Sequence, residues 1–147
     1  MKQFFAIGLI LCSINAFSQD DPQNLIDGFF NLYTNKGVDA SLDYLFSTNP
    51  WMEKSKDQAD GIKLKLNGSL RLLGEYHGYE IITKKSIGEH YMLYTFMVRY
   101  DRQPFRFSIL FYKPTDKWRL QNFSYDDSLD DELGEAAKAY RLKENID

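Results

Sequence analysis

The sequence predicts an α+β fold: N-terminal helices packed on a curved, cone-like four-stranded antiparallel sheet, with a C-terminal helix after it. Three observations carry this. The stretch from Glu89 to Asp126 alternates apolar and polar side chains and is dense in aromatic residues. Two turn signals cut it, Asp101-Arg102-Gln103-Pro104 and Pro114-Thr115-Asp116-Lys117. Ahead of it, Leu25, Ile26, Phe29, Phe30 and Tyr33 recur at helical spacing, and so do Ala59, Ile62, Leu66, Leu70 and Leu73.

Taken in order, Met1 to Ser18 reads as a secretory signal: Lys2 near the start, an apolar run from Phe4 to Cys12, and small residues at Ala16 and Ser18. The run is too short to span a bilayer. Leu11 is bulky where lipoprotein processing before Cys12 needs a small residue. Cleavage after Ser18 is expected, leaving residues 19–147 as a single secreted or periplasmic domain without a cysteine. Loss of Lys2 makes the domain one unit more negative than the full chain's −3, which speaks against nucleic acid as a partner. Burial, with no disulfide to help, must hold the fold together.

Asp21-Pro22 opens the first helix as N-cap and first helical residue, and Lys36-Gly37 closes it. Asp39 starts a short second helix carrying Leu42, Leu45 and Phe46. Asn49-Pro50 starts a third, on which Trp51, Ser55, Ala59, Ile62, Leu66, Leu70 and Leu73 share one stripe. It is either an unbroken rod to Gly74 or one broken near Gly61. Tyr76 to Ser86 forms the first strand. Ser128 caps the last helix, whose apolar side is Leu129, Leu133, Ala136, Ala137 and Tyr140. Acids in its first turn and Arg141 and Lys143 near its end suit the helix dipole.

A two-residue hairpin at Arg102-Gln103 would oppose Tyr100 with Phe105, Val98 with Phe107, Phe96 with Ile109 and Tyr94 with Phe111, all on one face. It would also oppose Arg99 with Arg106, a repulsion that a neighbouring carboxylate such as Glu80 should relieve. Pairing Lys113 with Trp118 then sets Phe111 against Leu120, Ile109 against Asn122 and Phe107 against Ser124. The inner face thus gains two small polar groups among aromatics, the usual description of a small-molecule site. The candidate ligand-binding residues are Tyr94, Phe96, Tyr100, Phe107, Phe111, Asn122 and Ser124. The outer face would present Leu93, Thr95, Met97, Leu110, Tyr112, Phe123 and Tyr125, a surface for a homodimer contact.

Few residues point to chemistry. An EF-hand loop from Asp126 would need Gly at Asp131 and Glu at Ala137. Two histidines without a cysteine make a poor metal set, so no metal site and no cofactor is expected. His77 and His90 are read as rim residues. No nucleophilic triad or phosphate loop is present.

The element order, with the strings GEYHGYEII (74–82) and FYKPTDKWRLQNFSYDD (111–127), resembles the nuclear transport factor 2-like, or cystatin-like α+β cone, superfamily, and in particular its small secreted bacterial members. The resemblance covers Asp21 to about Asp126. It implies that the long helix Trp51–Leu73 lies across a bent sheet with a pocket between them. Enzymatic relatives place an Asp or a His-Asp pair inside the cone, and no Asp falls on the aromatic face here. The expectation is a non-enzymatic domain that binds a small apolar ligand or a protein partner through the cone. The alternatives are an isomerase, dehydratase or cyclase using Tyr94, Asn122 or His90, and an oligomerising envelope module.

Overall fold

The computed structural model describes residues 21–144, and the signal peptide expected over 1–18 lies outside them. The elements run α1 Pro22–Lys36, α2 Val38–Ser47, α3 Pro50–Glu53, α4 Lys56–Leu73, β1 Tyr76–Ile87, β2 Tyr91–Tyr100, β3 Phe105–Tyr112, β4 Arg119–Asp126 and α5 Leu129–Glu144. The strands form one antiparallel sheet in the order β1-β2-β3-β4. This is the α+β architecture that the hydrophobic periodicities predict.

Local chemistry sets the helix ends. Asp21 is extended, its carboxylate accepts the Gln23 N–H at 3.0 Å, and Pro22 follows as the first helical residue. Gly37 ends α1 at φ 88°, a conformation that favours glycine, and α2 begins at the next residue. The rod expected over Trp51–Leu73 is broken, at Lys54-Ser55 rather than Gly61. The single turn of α3 closes through Met52 N–H to the Asn49 carbonyl and Ser55 N–H to the Met52 carbonyl. The axis then restarts, with Gly61 and Gly68 inside α4. Because α3 has its own axis, Trp51 leaves the predicted stripe and is 64% exposed, whereas Ala59, Leu66 and Leu73 stay buried.

Two registers differ from expectation. Across β2 and β3, Val98 faces Phe105, Phe96 faces Phe107 and Tyr94 faces Ile109. The connection is wider than a two-residue turn because it is tied to the end of α4: Asp101 N–H donates to the Glu75 carbonyl at 3.2 Å and Arg102 N–H to the Leu73 carbonyl at 3.0 Å. A slip of two residues keeps every side chain on its predicted face. It does separate Arg99 from Arg106, which lies opposite Met97. Arg99 keeps the anticipated Glu80, at 3.7 Å, and Arg106 binds Asp126 at 2.9 Å and Glu132 at 2.8 Å.

The second difference reverses faces. β4 starts as expected, Arg119 on Tyr112 and Leu120 on Phe111, but then bulges, so that Asn122 lies opposite Leu110, Phe123 opposite Ile109 and Ser124 opposite Ser108. Asn122 and Ser124 are therefore exposed on the outer side, while Phe123 is buried at 7% exposure. Tyr125 also turns inward, stacking on Phe105 at 6.0 Å. The bulge adjoins a clip from the helices. Leu120 N–H donates to Thr48 Oγ1 at 2.9 Å, and Asn49 Nδ2 donates to the Leu120 carbonyl at 2.7 Å.

The core lies between this inner face and α1. Phe29 meets Phe107 and Phe123 at ring-centroid distances of 6.4 and 6.1 Å, and Phe30 meets Phe96 at 5.0 Å and stacks on Tyr79 at 3.5 Å. α1 thus supplies the ring layer over the sheet, and α4 adds Leu66 and Leu73 beside it.

Candidate functional site

Tyr94, Phe96, Phe107 and Phe111 are fully buried and Tyr100 is 8% exposed, all on the inner face. Their rings contact one another and α1. Tyr94 stacks on Phe96 at 6.0 Å and meets Phe111 edge-on at 6.2 Å, and Phe107 touches Tyr33 at 6.0 Å and Phe123 at 5.4 Å. Asn122 and Ser124 are not with them, because the β4 bulge carries both outside. The seven residues are therefore divided between the two sides of the sheet. Tyr94, Asn122 and His90 are not brought together either. His90 is exposed beside the β1–β2 turn, with Nδ1 2.9 Å from the Lys113 carbonyl.

Three tyrosine hydroxyls, of Tyr33, Tyr94 and Tyr100, lie inside. Tyr33 and Tyr100 hydrogen-bond to each other, and burial pushes the Tyr33 pKa up to about 12 and raises that of Tyr100. The Tyr94 hydroxyl is buried and makes no hydrogen bond among the described residues. The exposed Lys84 holds its ammonium 5.2 Å from the Tyr94 ring centroid. That hydroxyl raises the Lys84 pKa, so the two are electrostatically coupled although no hydrogen bond closes.

The described clefts lie elsewhere. One of about 230 Å³ sits between α2, α3 and α4, floored by Phe46, Met52 and Ala59. On its rim the Lys63 ammonium bridges Asp43 at 2.8 Å and Asp60 at 2.9 Å, and both carboxylates, Asp43 first, raise its pKa. A second cleft, of about 190 Å³, opens on the outer sheet face among Lys85, Ile87, Tyr91, Leu93 and Leu110. A third, of about 400 Å³, is lined by His77, Met97, Arg99, Tyr100 and Pro104.

Beside the third cleft stands a polar knot that no local motif signals. Asp101 accepts the Glu75 N–H at 2.7 Å and lies 2.6 Å from His77 Nε2, and the Arg99 guanidinium donates to the His77 carbonyl at 2.9 Å. Gly74 makes room: at φ +90°, a Cβ there would stand 2.5 Å from the Asp101 carboxylate. The Glu75 N–H first, then His77, hold the Asp101 carboxyl below the usual range. A depressed carboxylate stabilises the fold above its unfolded pKa of about 3.9, and the contribution disappears as pH falls through the folded value. Asp101→Asn is therefore expected to melt below the parent at neutral pH. The gap should close in acid below the ordinary aspartate range, as thermal melts across that range would record.

Among the described residues, no group of three metal-ligating side chains converges, and no helix is long and apolar enough to cross a membrane. The chain matches no protein-family model, no curated protein and no solved structure.

Proposed function

We propose that this is a non-enzymatic secreted domain of the nuclear transport factor 2-like type that works by association, docking a second copy of itself on the outer face of its sheet. The observation that carries this is the apolar row on that face. Leu93, Leu110, Tyr91 and Tyr112 are half-buried and Ile87 is 75% exposed, around the 190 Å³ cleft. Tyr91 and Tyr112 meet edge-on at 6.1 Å, and the Arg119 guanidinium lies 5.5 Å from the Tyr112 ring centroid. Large rigid rings beside a guanidinium are what interface cores use. The inner face, by contrast, is occupied by its own rings.

A two-fold contact places one patch against itself, so a single substitution acts twice. Leu110 points away from the core, and Leu110→Lys is expected to leave the melting temperature within a few degrees of the parent. It sets two lysines into the contact and should turn a dimer into a monomer. Sedimentation equilibrium over a concentration series reads this directly. A parent chain that stays monomeric at every concentration ends the proposal.

A further inference from the structure

The outer face is too small for the dimer by itself. Its strands of 12, 10, 8 and 8 residues present roughly 600 Å², against about 800 Å² per partner in a standard stable interface. α5 lies on the same side. Its first turn is tied to outer-face Arg106 through Glu132 at 2.8 Å, with Asp126 on the same guanidinium. Beyond that anchor the helix exposes its apolar stripe: Leu133 is 74% and Tyr140 66% exposed, with Ala136 and Ala137 open between them. Sixteen helical residues rise about 24 Å, and one side of such a helix adds roughly 250 Å², which brings the total close to the standard.

Resting on the self-association proposed above, we infer that α5 pairs antiparallel with α5 of the second copy and completes the interface. The charge order selects this partner and this direction. Asp130, Asp131, Glu132 and Glu135 occupy the first half of the helix, and Lys138, Arg141 and Lys143 the second, with one acid, Glu144, at its end. An antiparallel copy sets acid beside base at both ends of the pair, whereas a parallel copy sets like against like. The apolar stripe runs from Leu129 to Tyr140 with the small Ala136 and Ala137 inside it, so a copy run in the opposite direction meets the large residues near the ends and the small ones between them.

The test uses the full secreted chain and two charge variants at exposed positions. Asp130→Lys with Asp131→Lys reverses the exposed charge at the start of the helix and makes the helix net basic, and Lys138→Glu with Arg141→Glu reverses the exposed charge of its second half and makes the helix strongly acidic. Each alone is expected to dimerise at least about tenfold more weakly than the parent, and an equimolar mixture to recover heterodimer at near-parental affinity. Recovery in the mixture cannot come from misfolding. Leu133→Ser, at an exposed site, should also weaken the dimer while keeping its far-ultraviolet helix signal. A mixture that stays monomeric, or charge variants that dimerise like the parent, overturns the helix pairing. If Leu110→Lys still dissociates the dimer in that case, the sheet contact stands without α5. A monomeric parent removes both.

Discussion

Phe107→Ala is expected to lower stability by about 3–5 kcal/mol, the range for emptying a large aromatic site in a core. The side chain is fully buried on β3, and its ring meets Phe29 and Tyr33 from α1 and Phe123 from β4. It is the point where the first helix and the last strand are held to one ring. The gap left behind cannot collapse by shifting one neighbour, because those neighbours belong to elements fixed by their own contacts. For a domain whose net stability is of order 5–15 kcal/mol, that loss consumes much of the margin. Urea unfolding should show a lower midpoint at an unchanged slope, and a loss below about 1 kcal/mol would contradict the packing described.

Asn49→Ala is expected to cost about 2–4 kcal/mol, although the side chain is small. Its Oδ1 accepts the Trp51 N–H at 3.0 Å as the cap of α3, and its Nδ2 donates to the Leu120 carbonyl at 2.7 Å. Losing a cap costs about 1 kcal/mol, and leaving a buried carbonyl without a donor costs about 1–3 kcal/mol more. The two parts can be separated. Asn49→Asp keeps an acceptor for the Trp51 N–H but turns a carboxylate toward the Leu120 carbonyl. It should therefore be at least as destabilising as alanine. Chemical denaturation of the two variants side by side checks the order, and an aspartate variant as stable as the parent would show that the Leu120 contact carries no weight.

Much of the fold is legible from local pattern. Helical spacing places α1, α2 and the buried side of α4, and strict alternation gives the inner residues of β2 and β3. The β2–β3 register differs from the two-residue hairpin by an even number of residues, so every side chain keeps its face. The candidate site failed on β4, where Gln121 has no partner and every later side chain changes side. Nothing in RLQNFSYD announces that bulge. Its neighbours Thr48 and Asn49 lie more than 70 residues earlier in the chain, in a loop that sequence periodicity treats as mere connection. The His77–Asp101 pair was out of reach for the same reason, since 24 residues separate partners that only the Gly74 turn brings together.

The unpaired Gln121 also decides what edits of length the protein can survive. Two residues added to the 101–104 connection would leave every aromatic where it is. Deleting Gln121 itself would only remove the bulge, since Asn122 would follow Leu120 in regular alternation, still opposite Leu110, with Phe123 still opposite Ile109. One residue deleted at Ser124 would instead carry Tyr125 to the outer side, opposite Ser108. Divergent copies of this gene should therefore vary freely in the letters of β4 that face outward and can lose the residue at 121, yet keep the count from Phe123 to Tyr125, because odd and even positions there separate oil from water.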